Sequence, residues 1–213
     1  MLAGLNTFIR YSGRKLPYDA EIEYLESTGT QWIDSGVPYD HTVECEMDFA
    51  KTANTASSYI FGIYYGPGDT STVRRWAPFW SSNRFYPHFY TTTTTSCTAY
   101  LANGVRHTIK ANATTFTFDS TTISVTSSTF DPTIDVNIFI SARNVYSPVL
   151  YPNVHINITA WRIFSFKIWK SGVLVRDFIP VRKGSVGYMY DRVSGKLFGN
   201  QGTDNFILGP DKN

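Results

Sequence analysis

The sequence predicts an all-β protein: a two-sheet antiparallel sandwich of the jelly-roll kind, preceded by a short N-terminal arm. Three observations carry that reading. Aromatic residues make up 16% of the chain and charged residues only 17%, which with abundant Thr, Val and Ile suits half-buried pleated surfaces. Short segments alternate apolar and polar residues with a period of two, and no window holds an apolar stripe at helical spacing over three turns. Turn-forming dipeptides separate these segments at short intervals. At 213 residues the chain can bury the core of one large domain.

The elements follow in order. Residues 1–20 mix basic and apolar residues without a period. They read as an arm that docks through Leu5, Phe8, Ile9 and Tyr11, or as a disordered terminus, leaving residues 21–213 as the sandwich domain. In "EIEYLES", alternation sets Ile22 and Tyr24 on one face and Glu21, Glu23 and Leu25 on the other. "HTVECEMDFA" sets Val43, Cys45, Met47 and Phe49 against Thr42, Glu44, Glu46 and Asp48, the pattern of a strand with one buried face. "SSYIFGIYYG" is a more continuous apolar run, closed by the turn Gly66-Pro67-Gly68-Asp69. Strands are further expected in "RFYPHFY", "TAYLAN", "RHTIKANA", "TTFTFDS", "TTISVTS", "DVNIFISAR", "VHINITAWRIFSFKIWK" and "VLVRDFIPV". Asn103-Gly104, Asp119-Ser120, Ser171-Gly172 and Ser194-Gly195 supply hairpin turns.

Charge and motifs narrow the function classes. A net charge of +2, with basic residues dispersed among acids, lacks the positive stripe that a nucleic-acid partner needs. No run approaches the ~18 apolar residues of a membrane span, and the N-terminus has no apolar core of a secretory signal. Cys45 and Cys97 could form one bridge or remain two small buried residues. No Ser-His-Asp signature, phosphate-cradling Gly loop or CxxC motif is present, so no cofactor is expected. The histidines lack ligand spacing. Asp69, Asp131 and Asp135 could meet a calcium ion, although isolated loop aspartates more often cap turns, and no metal is expected. The sequons Asn112-Ala113-Thr114 and Asn157-Ile158-Thr159 would matter only in a secretory pathway.

Two stretches could carry chemistry. In "ECEMD", Glu44, Glu46 and Asp48 share a strand face, as paired carboxylates do in glycoside hydrolysis, yet no Trp on that strand offers a sugar platform. The plainer reading is a solvated polar face, and no catalytic residue is assigned. In "RRWAPFWSSNRFYPHFY", aromatics with interleaved Arg can stack on sugar rings. Arg74, Trp76, Trp80, Arg84, Tyr86 and His88 form the candidate glycan surface, against the alternative that they serve core and subunit contacts.

Three blocks resemble a known family. "EIEYLESTGTQWIDSGV", "RHTIKANATTFTFDSTTISV" and "WRIFSFKIWKSGVLVRDFIPVRKGSVGYMYDRVSGKLFGNQGTDNFILGPD" are similar to the opening strand, middle hairpin and closing block of a concanavalin A-like, laminin-G-like jelly-roll family of gut phages and bacteria. The resemblance covers residues 21–211 and is weakest over 51–100. It implies that first and last strands pair, with Trp32 near Phe206. It further implies a non-enzymatic virion component, such as a head fibre, capsid decoration or tail-associated adhesin. Such a component would join other virion proteins through the arm, assemble as a homo-oligomer (a trimer being expected) and bind glycan. The alternative is a carbohydrate-binding module outside a virion.

Overall fold

Alternation and turn chemistry decide where the strands lie. A computed structural model describes residues 15–52, 57–66, 74–81, 84–87, 89, 102–125, 130–147, 151–158 and 160–212, with the backbone alone for 57, 84 and 151–158. Residues 1–14 of the arm, most of the turn at 66–69, His88, the Thr91–Thr95 run, Cys97 and the strand expected at 98–101 lie outside the described residues. The described strands are β1 (Ala20–Glu21), β2 (Leu25–Glu26), β3 (Ile33–Pro38), β4 (Val43–Lys51), β5 (Ser57–Tyr59), β6 (Phe61–Tyr65), β7 (Arg74–Trp76), β8 (Phe79–Ser81), β9 (Arg84–Tyr86) and β10 (Arg106–Ala111). They continue with β11 (Thr115–Phe118), β12 (Thr121–Ser124), β13 (Asn137–Ile140), β14 (Ala142–Ser147), β15 (Tyr151–Ile158), β16 (Trp161–Lys170), β17 (Val173–Lys183), β18 (Val186–Asp191), β19 (Lys196–Phe198) and β20 (Ile207–Leu208). No helix occurs among the described residues.

The large sheet runs β12-β11-β10-β4-β16-β17-β18-β19, with β1 on β17, β2 on β16 and β20 on β2. The second runs β15-β14-β6-β13-β3, with β7 on β6. Hairpins form at Asp119-Ser120, Ser171-Gly172 and Ser194-Gly195, while the strand expected before Asn103-Gly104 lies outside the described residues. Ser171 and Gly172 both take positive φ (49° and 77°), which a two-residue turn with matching twist requires. The sheets close on one apolar core. Val43, Cys45, Met47 and Phe49 point inward from β4 and are fully buried; burial of the Val43, Met47 and Phe49 side chains contributes roughly 1.5–3 kcal/mol each. Phe61 of β6 meets Phe166 of β16 at 5.2 Å between ring centres, which places the two sheets face to face. Burial pushes the free Cys45 thiol well above its ordinary value. The protein is an antiparallel β-sandwich of jelly-roll type.

Four details depart from the sequence reading. A third, small sheet, β5-β8-β9, joins the expected two; its inward residues Trp80 and Phe85 pack on the large sheet, with Phe85 5.7 Å from Phe49. "EIEYLES" does not keep one alternation: the chain bends at Glu23, passing from β17 to a place between β16 and β20, so Ile22 and Leu25 are both buried. "DVNIFISAR" breaks at Ser141, whose φ of 63° reverses the chain. β13 therefore runs antiparallel to β6, while β14 runs parallel to it. Finally, Tyr18 to Ala20 already belong to the folded body: the Asp19 amide donates to the Arg182 carbonyl at 2.9 Å and Tyr18 packs on Tyr190 at 4.9 Å.

The ends of the domain seal each other. Leu25 pairs with Leu208 and Glu26 with Ile207, while the Gln201 amide donates to the Trp32 carbonyl at 2.8 Å. The Trp32 ring lies 4.1 Å from Phe139 and over Gly202, whereas Phe206 is buried beside Gly187. Trp32 thus meets the residues just before Phe206.

Candidate functional site

Among the described residues singled out at 74–90, the two tryptophans turn into the core. Trp76 is fully buried, stacked on Phe89 at 5.7 Å and near Tyr39 at 5.0 Å. Trp80 is 1% exposed, beneath the Lys51 ammonium 4.6 Å from its ring centre. Neither indole face is open to a sugar, which corrects the expectation for both. The reason is face parity: β7 and β8 place these two indoles on the inner side of their sheets. Arg74 is half-buried in β7, Arg84 pairs through its backbone with Ser81, and His88 lies outside the described residues. Tyr86 falls on the other side of the small sheet, in the row Tyr59, Phe79, Tyr86, whose rings are 4.8 and 6.3 Å apart.

A different constellation forms at one end of the large sheet. Three turns approach one another there: residues 40–42 before β4, 112–114 between β10 and β11, and 171–172 between β16 and β17. They border a cleft of about 550 Å³ lined by His41, Glu44, Lys110, Asn112, Thr114 and Trp169, among others, within the usual size of small-ligand sites. Trp169 is half-buried and is the direct cross-strand partner of Glu44. A bulge in β17 faces this point, because Ile168 pairs with Arg176 and Trp169 with Leu174. Bulges of this kind aim side chains beside sites.

The polar groups are fixed by their neighbours. Lys110 donates to Glu44 at 3.0 Å, and its ammonium sits 5.4 Å from the Trp169 ring centre. The Asn112 side-chain amide donates to the other Glu44 oxygen at 3.3 Å. Asn112 Oδ1 accepts the Thr114 and Thr115 amides, both at 2.9 Å, and so caps the turn. From inside the core, the Trp76 indole N–H donates to the Asn112 carbonyl at 3.2 Å. Trp76 therefore supports the cleft without lining it. His41 is tied through its amide and Nδ1 to Asp131, both at 2.9 Å. That hydrogen bond holds the imidazole above its ordinary pKa of 6.5. The His41 amide and ring together hold the Asp131 carboxyl below its own.

The three acids of "ECEMD" each face a base. Glu44 pairs with Lys110 at 3.0 Å, Glu46 with Lys167 at 3.4 Å, and Asp48 with Arg106 through its Nε at 2.6 Å. They form the acidic file of a charged sheet face, flanked by bases from β10 and β16. Among the described residues no group of three or more His, Cys, Asp or Glu side chains is placed to hold a metal ion, and no helix is long and apolar enough to cross a membrane.

Trp169 was the residue hidden from sequence inspection, yet its signal is present. In "FKIWK", Phe166 and Ile168 alternate with Lys167 and Trp169, so the indole shares the phase of the lysine rather than that of the core. What the strand itself does not contain is Glu44, which only sheet registry brings alongside.

Comparison with known proteins is sparse. No protein-family profile and no curated protein sequence matches the chain. Among solved structures, a Bacteroides ovatus protein described as a "putative carbohydrate binding protein" is similar. It has a TM-score of 0.52 and 10% identity over 91% of this chain and 61% of that one. The chain thus spans less than two thirds of that protein's length. At this identity the likeness shows a shared β-sandwich fold.

Proposed function

We propose that this chain is a non-enzymatic carbohydrate-binding module whose site is the Trp169 cleft. The observation that carries this reading is the half-buried indole of Trp169 beside Glu44, Lys110 and Asn112. A sugar ring presents an apolar C–H face and a rim of hydroxyls; an aromatic face flanked by fixed donors and acceptors complements both. Each polar group retains capacity. The Lys110 ammonium has hydrogens beyond the one given to Glu44, and the Asn112 amide has a second hydrogen. The description of the Bacteroides ovatus neighbour adds support to the same reading. The virion role, with its arm-mediated anchoring and trimeric assembly, rests on the sequence resemblance alone.

A microbial glycan array tests the proposal. The full-length protein is expected to bind, Trp169→Ala to lose about 2 kcal/mol or more of binding as an aromatic anchor does, and Tyr86→Ala to bind normally. Loss of binding in Tyr86→Ala with retention in Trp169→Ala would move the site to the small sheet.

A further inference from the structure

The charges around the cleft select among carbohydrates, an inference that rests on the carbohydrate-binding reading above. Lys110 is a lining cation, and its ammonium is already 3.0 Å from Glu44. The second Glu44 oxygen is held by Asn112. The neighbouring bases are committed in the same way: Lys170 pairs with Asp40 at 2.9 Å, Lys167 with Glu46 at 3.4 Å, and His41 with Asp131 at 2.9 Å. An approaching carboxylate or sulfate would therefore meet compensated cations. To use the remaining Lys110 hydrogens it would have to sit beside the Glu44 carboxylate, only 28% exposed and therefore weakly screened, and meet its negative charge. A neutral sugar faces no such repulsion. One hydroxyl can donate to Glu44 while its neighbour accepts from Lys110 or Asn112, and the C–H face lies against Trp169.

We infer that the cleft is selective for neutral sugars, engaged through adjacent hydroxyls that bridge Glu44 and Lys110, and that Glu44 is the residue excluding anionic glycans. Glu44 then acts twice: as an acceptor for the ligand and as an electrostatic filter that keeps Lys110 from acting as an anion site.

The test uses full-length protein and two matched immobilised oligosaccharides, one ending in a glucose unit and one in the corresponding uronate, at low and moderate salt. Wild type is expected to favour the neutral ligand at least tenfold. Glu44→Gln preserves the shape, frees the Lys110 charge and should shrink that ratio at least fivefold by gaining uronate binding, the gain fading with salt. A wild type that prefers the uronate overturns the inference, as does a folded Glu44→Gln variant with an unchanged ratio. If Glu44→Gln fails to fold, the wild-type ratio alone decides. Trp169→Ala separates the two levels of the argument. Uronate preference that depends on Trp169 removes the neutral-sugar inference and leaves the carbohydrate site standing; binding of neither ligand, or binding that survives Trp169→Ala, removes both.

Discussion

Trp169 on β16 and Glu44 on β4 are direct cross-strand partners on the outer face of the large sheet. Outward positions on adjacent strands are close enough for their side chains to act together, so registry converts two ordinary strand residues into one wall of a site. Lys110, reaching diagonally from β10, completes it by pairing with Glu44 and lying near the Trp169 ring.

The buried tryptophans should behave as folding residues. Trp80→Ala empties a fully packed position and is expected to cost about 3–5 kcal/mol, read as a lower urea midpoint. Trp76→Phe keeps most of the ring but loses the hydrogen bond to the Asn112 carbonyl. With the ring volume it also removes from a fully buried position, it should lower stability by about 2–3 kcal/mol and weaken ligand binding only modestly. Selective loss of binding at wild-type stability in Trp80→Ala would contradict this assignment.

Legibility in the sequence followed locality. The inward face of β4 and the hairpins at Asp119-Ser120 and Ser171-Gly172 are readable because alternation and turn residues lie in short windows, whereas the pairing of the two chain ends follows from the resemblance of the opening and closing blocks to a known family. The bend at Glu23 and the reversal at Ser141 are not readable, since each is set by which strand the segment meets next. The proposed cleft is not legible in the sequence for the same reason. Aromatics are dense at 74–90, but Trp76 and Trp80 face inward, whereas Trp169 stands alone and gains its partners only through β4 and β10.

The seal between the chain ends can be tested at Gly202. A Cβ there would collide with the Thr30 carbonyl oxygen and approach the Trp32 ring to 3.0 Å. Gly202→Ala is expected to destabilise the domain by about 1–3 kcal/mol, as other overpacking substitutions do, measured by urea or thermal unfolding. Wild-type stability would show that the opening and closing blocks are not packed together.

The β18–β19 turn depends on one buried acid. Asp191 is fully buried and its carboxylate accepts the amides of Asp177 at 2.8 Å, Val193 at 3.1 Å and Ser194 at 3.2 Å. Asp191→Ala leaves these donors unpaired and should cost on the order of 3–5 kcal/mol. Asp191→Asn, which keeps one acceptor oxygen, should cost less. Equal stabilities for the two would contradict the role of the carboxylate.

The His41–Asp131 tether should depend on pH in two directions. His41 is shifted up, so its contribution is fully present below 6.5 and is lost as pH rises through the folded value. Asp131 is shifted down, so its contribution is present above 3.8 and is lost as pH falls through its folded value. The tether is therefore strongest between about pH 3.8 and 6.5. An NMR titration should find His41 titrating above its ordinary value, and Asp131→Asn should return it there. A His41 that titrates normally in the wild type would contradict the pairing.

The most direct test of the carbohydrate site follows the indole N–H signals of the five tryptophans by NMR while a bound glycan is titrated in. The account predicts that the Trp169 signal shifts most and saturates with the binding curve, that Trp76 moves slightly through Asn112, and that Trp80 and Trp161 stay in place. Saturable binding that leaves the Trp169 signal unmoved would contradict it.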